Sequence, residues 1–208
     1  MNRERLKQAE AAFMRRYPGG FANPEMQELS RKHKMDTMVE LARTSFAREQ
    51  FGRPEIIVDQ MLKLISRSSM ISVFEKPKFR DFVTTLSAAE RRLLVLSLET
   101  LLHGSEQDGF ERLLAILQTG KLGRWPLMTI CQTYYNPQVA VFIKPTTTKW
   151  VIEYFELSPL CYHATPSWAF YRDYSQAIHE MKNLVDATLS PSNAAFTGFL
   201  MMSMESRG

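Results

Sequence analysis

Signals that start and stop α-helices recur along the whole chain, and they constrain its fold more than any other feature. Asn23-Pro24-Glu25 combines a capping residue, a proline at the first helical position and an acid at the positive end of the helix dipole. Arg53-Pro54-Glu55 repeats the proline and the acid. Ser87 and Glu90 have the spacing of a capping box, in which each side chain bonds the backbone amide of the other residue. These signals predict a chain built mainly from helices.

The apolar residues between these signals are also spaced as in helices. From Ile57 to Ile65 they follow one another at spacings of four, three and one, which places them on one helical face. Leucine is dense from Leu93 to Leu102, so apolar residues fall on nearly every side of that helix. We expect this leucine-rich helix to form the centre of the core.

We therefore predict an all-α protein, a multi-helix bundle of about nine helices. The run at 139–143 is rich in β-branched residues, so at most a minor β element is expected there. Gly120 follows a helical segment at the position that often takes the left-handed conformation. The segment 119–124 lacks the Gly-Lys-Ser/Thr ending of a phosphate-binding loop, so a helix end is the better interpretation.

The composition is ordinary for a globular protein, with 208 residues, 45% of them apolar and 23% charged. Cys131 and Cys161 are expected to be free thiols in a reducing compartment. The charged N-terminus lacks the apolar core of a signal peptide. The apolar stretches 93–102 and 196–204 are shorter than the roughly 20 residues that a membrane-spanning helix needs. We expect a cytoplasmic protein with no membrane partner.

Positive charge is concentrated in the first quarter of the chain. Residues 1–53 carry 11 Lys and Arg against 7 Asp and Glu, whereas residues 54–208 carry 15 of each. A basic segment raises the local concentration of anionic partners, of which nucleic acid is the first candidate. We predict a basic helical N-terminal segment at 1–53, attached to a helical main domain at 54–208.

Two basic groups in this segment could contact a nucleic acid. One precedes the turn 17–21, which contains Tyr17 and Phe21, and the other follows it in the second helical region. Basic and aromatic residues together could supply phosphate contacts and base stacking. The alternative is that these cations only stabilise the helix ends. The candidate nucleic-acid-binding residues are Arg15, Arg16, Arg31, Lys32 and Lys34.

No pattern assigns a catalytic residue, a metal site or a cofactor. Cys161 and His163 lie two positions apart, but the paired ligands at tight spacing that mark zinc sites are missing. An active site would require the fold to bring residues such as His163, His179 and Glu153 together in one pocket. An enzyme is therefore the third hypothesis, after two kinds of binding protein.

The second hypothesis concerns the C-terminal third, where aromatic and methionine side chains are dense. More of them lie along the predicted helices than one face can bury. Core packing explains most of them by default. The alternative is a protein–protein interaction or scaffold protein that binds a protein partner, or forms a homodimer through its last helix.

A series of short motifs spans the C-terminal part of the chain. This series resembles a segment of uncharacterised bacterial proteins. The resemblance implies a bacterial origin and carries no activity, so it transfers no site residues. The motifs are Trp125-Pro126-Leu127, Asn136-Pro137, Lys144-Pro145, Tyr162 and Pro166-Ser167-Trp168 with Tyr171.

Overall fold

The computed structural model describes residues 1–205, which form eleven α-helices, three short 3-10 helices and no β-strand. This confirms the all-α prediction. Residues 206–208, the end of the predicted main domain, lie outside the described residues. The helices are α1 Arg3–Arg16, α2 Pro24–Lys32, α3 Met35–Ser45, α4 Pro54–Arg67, α5 Glu75–Thr85, α6 Ala88–His103, α7 Glu106–Thr119, α8 Trp125–Tyr135, α9 Pro145–Tyr154, α10 Trp168–Lys182 and α11 Asn193–Glu205.

The predicted capping signals are used in the structure. Asn23 Oδ1 accepts a hydrogen bond from Glu25 N at 3.0 Å at the start of α2. At the start of α6, Ser87 N donates to Glu90 Oε2 at 2.8 Å and Glu90 N donates to Ser87 Oγ at 3.3 Å, which completes the capping box. These bonds satisfy amides that have no partner within the helix, so local sequence fixes where α2 and α6 begin.

Helix α8, rather than the leucine-rich α6, is the most enclosed helix. Nine of the eleven residues of α8 are buried, and α3, α4, α6 and α7 all contact it. On α6, Leu94, Leu98 and Leu101 are buried, but Leu93 is 57% exposed. The expectation that α6 forms the centre of the core is therefore wrong. The density of leucine along the sequence did not show how many helices pack around α6 and how many around α8.

The segment 139–143 does not form a strand, because Val139 lies in a turn and residues 140–143 have no regular secondary structure. Side chains, instead of a β partner, bond three backbone groups of residues 140–143. Val141 N donates to Tyr171 Oη at 3.3 Å, Ile143 N donates to Thr129 Oγ at 3.2 Å, and Asn193 Nδ2 donates to Ala140 O at 3.1 Å. Since buried backbone groups need partners of some kind, these three bonds help to explain how residues 140–143 are buried without a sheet.

Residues 1–53 pack on the rest of the chain. Helix α1 lies against α11, where the Phe13 and Phe199 rings are 5.2 Å apart. Asn2 N also donates to Phe155 O at 2.7 Å. Helix α3 contacts α8. The boundary at residue 53 between two units stays a prediction.

Most of the C-terminal aromatic side chains lie in the core. Phe155, Tyr174, Phe196 and Phe199 are fully buried, whereas Trp150 is exposed. Enclosure by neighbouring helices therefore accounts for most of the aromatic density in this region. Nowhere in residues 1–205 does a helix combine the length and apolarity needed to cross a membrane.

Gly120 does not take the predicted left-handed conformation. Its φ is −93°, and the neighbouring Lys121 has the positive φ of 57°. A Cβ on Gly120 would lie 2.3 Å from Cδ2 of Phe82. Close packing against the Phe82 ring therefore explains the glycine, and its position in the sequence gave no sign of that contact.

Two glycines in helices provide a test of this packing. A Cβ on Gly109 of α7 would lie 2.1 Å from Leu101 N of α6, whereas a Cβ on Gly198 of α11 would meet no atom within 4 Å. We expect Gly109→Ala to lower the free energy of unfolding by about 3 kcal/mol, because the backbone of α6 cannot move aside. Gly198→Ala should raise it by up to about 1 kcal/mol, since alanine favours helices.

Urea unfolding of both variants measures this difference. A similar effect of the two substitutions would contradict the close approach of α6 and α7.

Candidate nucleic-acid interface

The first predicted basic group lies at the end of α1. Arg15 and Arg16 are exposed, and the Arg16 guanidinium lies 5.2 Å from the centroid of the Tyr17 ring. Tyr17 itself is only 6% exposed, and the Phe21 ring packs 5.7 Å from the ring of Phe13. Tyr17 is therefore not available to stack on bases, and Phe21 is half-buried against the core.

The second predicted group surrounds the turn between α2 and α3. Arg31, Lys32 and Lys34 are all exposed, and Lys34 has a positive φ of 53° that reverses the chain. Lys32 pairs with Glu28 at 3.0 Å, and this hydrogen bond and charge lower the pKa of Glu28. Helix α2, which is about 13 Å long, separates this group from Arg15 and Arg16. The first predicted group thus lies at the end of α1 and the second at the end of α2.

A hydrogen bond brings a second chain segment to the α2–α3 turn. His33 Nδ1 and Ser69 Oγ are 2.9 Å apart, which joins the turn to the connection between α4 and α5. We name the residues 31–34 and 67–78 the turn surface. It contains six Lys and Arg residues and one acid, Glu75. Positive charge is denser here than in the N-terminal segment as a whole.

The turn surface presents an aromatic side chain that the sequence analysis did not identify. Phe74 is 76% exposed and its neighbour Val73 is 70% exposed. The connection is anchored on the inner side, because Ile71 is buried and Ser68 Oγ shares a 3.0 Å hydrogen bond with Tyr134 Oη. Phe74 N also donates to Ser72 Oγ at 3.2 Å. Phe74 is therefore exposed in a connection that is anchored to the core and that also contains Arg67, Lys76 and Lys78.

Glu75 is the one acid of the turn surface, and burial raises the pKa of its carboxyl. The positive charge of Arg124, which is exposed in the loop after α7, lowers the pKa of Glu75 and so opposes the effect of burial. The higher pKa weakens the negative charge at this place as the pH falls.

A cavity of about 320 Å³ lies elsewhere, between α6, α7, α8 and α10. Trp168 and Tyr171 of α10 and Leu102 of α6 supply apolar walls. Gln132 of α8 is the most deeply buried of its polar residues, at 5% exposure. The size falls at the lower end of small-molecule sites.

One of the predicted enzyme residues, His179, lines this cavity at the end nearest α11. Asn193 Nδ2 donates to His179 Nε2 at 3.1 Å, and Lys182 Nζ donates to Asn193 Oδ1 at 2.6 Å. His163 and Glu153 are exposed and do not line the cavity. The fold therefore does not bring these three residues into one pocket.

The two cysteines are free, with Cys131 buried and Cys161 exposed. Burial raises the pKa of the Cys131 thiol to about 12, so it is an inert thiol at neutral pH. Within the described part of the chain, no group of three or more His, Cys, Asp and Glu residues is placed to hold a metal ion.

Comparisons with known proteins give no relative. No protein-family model matches the sequence, and neither a curated protein nor a solved structure was found to match it.

The sequence reasoning missed the residues at 67–78 and the cavity. For the first, the sequence shows Val73-Phe74 followed by Lys76 and Lys78, but it does not show that the apolar pair is exposed, because apolar residues occur both in cores and on surfaces. The cavity had no sequence signal. Its walls come from three stretches of the chain, at 101–106, 132–140 and 168–183, that only the fold brings together.

The His179 network makes stability depend on pH. Burial, and then the nearby Lys182, lower the pKa of His179 below its ordinary value of 6.5. The unfolded chain therefore binds this proton at a higher pH than the native protein does, so this stability is present above about pH 6.5 and is lost as the pH falls below it. We expect His179→Gln to reduce the loss of unfolding free energy between about pH 7.5 and about pH 5.

Urea unfolding across that pH range measures the slope, with His33→Gln as the control because His33 is exposed. An unchanged slope in His179→Gln, or an equal change in both variants, would contradict this role for His179.

Proposed function

We propose that the protein acts in the bacterial cytoplasm by binding single-stranded nucleic acid through the turn surface. The observation that carries the proposal is the exposed Phe74 ring in a connection that also contains Arg67, Lys76 and Lys78. The His33–Ser69 bond joins this connection to the α2–α3 turn, which contains Arg31, Lys32 and Lys34. Proteins that bind single strands combine aromatic side chains, on which bases stack, with cations that contact the backbone. The two free thiols agree with a reducing compartment.

The charges of the turn surface are available to phosphate groups. Both side chains of the Lys32–Glu28 pair are exposed, so the pair contributes little to stability. A phosphate group can therefore replace the glutamate as the partner of Lys32. Arg31 and Lys34 form no ion pair with any residue of the described chain. The second predicted basic group thus belongs to the proposed surface. A further phosphate contact at Arg15 and Arg16 stays a prediction.

Phosphate contacts and base stacking carry little sequence information. We therefore expect binding that varies weakly with base sequence and strongly with salt concentration, because each neutralised phosphate releases counterions. The turn surface supports a single strand better than a duplex, since stacking on Phe74 requires bases whose faces are open.

Charge removal tests the phosphate contacts. We expect Arg31→Gln, Lys34→Gln and Lys78→Gln each to lower the slope of log affinity against log salt concentration by about 0.7. The control is Arg112→Gln, which removes the same charge from an exposed site on α7. Fluorescence anisotropy with short labelled single-stranded DNA and RNA at several salt concentrations measures the slopes. An equal effect of Arg112→Gln would show that only net charge matters, and that result would overturn the proposal.

Removal of the ring tests stacking separately. We expect Phe74→Ala to weaken binding by about tenfold and to leave the salt slope unchanged, because the ring carries no charge. Leu93→Ala is the matched control, since Leu93 is also an exposed apolar residue, on α6.

A membrane surface is the competing explanation for exposed apolar residues beside cations. Binding of the protein to vesicles that contain phosphatidylserine, together with no binding to single strands at low salt, would replace the nucleic-acid proposal.

A further inference from the structure

The cavity between α6, α7, α8 and α10 contains a buried polar group without a partner. Gln132 lies on the enclosed helix α8 and is 5% exposed, and its Nε2 forms no hydrogen bond with any described residue. Buried polar groups almost always have a hydrogen-bond partner, because a buried group without one costs about 1–3 kcal/mol of stability. An unpaired carboxamide in a cavity wall therefore points to a ligand that pairs with it.

The other groups in the cavity wall define the chemistry of that ligand. Trp168 and Tyr171 supply aromatic surface, and their rings are 5.7 Å apart. Asn136 and Gln176 add carboxamides at the mouth, where both are exposed. A carboxamide offers two donors and an acceptor side by side, which matches the edge of a heterocyclic base. A planar ring with its own donors and acceptors fits this combination of walls.

Charges at the mouth restrict the ligand further. Glu106 and Glu180 both line the cavity. Arg172 is the cation there, and it is bonded to Asp173 at 2.8 Å. The net charge is therefore negative, which disfavours a phosphate group. We infer that this cavity is a binding site for a small, uncharged heteroaromatic molecule of the nucleoside class.

This site is independent of the turn surface. None of the residues 31–34 or 67–78 lines the cavity, so either site can exist without the other.

Isothermal titration of the full chain with adenosine, cytidine, inosine and uridine tests the inference. We expect at least one of these nucleosides to bind, and its 5′-monophosphate to bind more weakly because of the two glutamates. Gln132→Met should lower the affinity for that nucleoside by about tenfold. Gln118→Met, at an exposed position outside the cavity, should leave the affinity unchanged.

Thermal unfolding without ligand separates binding from folding. Methionine has a similar volume to glutamine and no unpaired polar atom, so the melting temperature of Gln132→Met should not fall below that of the original protein. A marked fall would make Gln132 a structural residue and overturn the inference.

Three results of the titration would also overturn it. They are no binding of any of the four nucleosides, tighter binding of the monophosphate, and binding of indole as tight as that of the best nucleoside. Indole has an aromatic ring system but no hydrogen-bond acceptor in its rings. Equal binding of indole would therefore show that the cavity recognises only apolar aromatic surface.

Discussion

The enclosure of helix α8 is the constraint on which the rest of the structure depends. Other helices pack around it, so each polar side chain that it carries needs a partner inside the protein. Thr129 and Thr133 donate to carbonyls of their own helix, at 2.8 Å and 2.7 Å. Tyr134 bonds Ser68 at 3.0 Å. Gln132 differs from these three residues, because its amide nitrogen has no partner among the described residues and its side chain lines the cavity. Because the other three side chains have partners, the unpaired amide nitrogen of Gln132 is the feature that points to a ligand in the cavity.

The same helix is linked to the turn surface. The bond between Tyr134 and Ser68 anchors the connection between α4 and α5 on its buried side, and the bond between His33 and Ser69 joins that connection to the α2–α3 turn. Phe74 is exposed in the connection that these two bonds hold in place. A buried helix thus determines the positions of two separate surfaces, one cationic and open, the other concave and weakly acidic. We propose that the protein contacts a nucleic-acid strand through the first surface and a small molecule through the second.

Local signals predicted much of the fold. The caps at Asn23 and Ser87 begin helices because their bonds involve residues two or three positions away, which a sequence displays directly. The sequence does not show which distant segments contact one another. The leucine-rich α6 has Leu93 in solvent, and Gly120 is a glycine because of Phe82. The predicted cations Arg31, Lys32 and Lys34 are exposed, as charged residues generally are. The exposed aromatic residue Phe74 comes from another part of the chain, which the His33–Ser69 bond joins to their turn. Burial of Tyr17 could not be foreseen from a turn sequence that suited stacking.

Photocrosslinking addresses the proposed nucleic-acid interface most directly. A single-stranded oligonucleotide that carries 5-bromouracil would be bound to the full chain at low salt, irradiated and digested, and the modified peptides would be identified by mass spectrometry. The account predicts crosslinks within residues 67–78, at Phe74 above all, and their loss in Phe74→Ala. Crosslinks confined to the end of α1, or spread evenly over the basic residues of the chain, would contradict it.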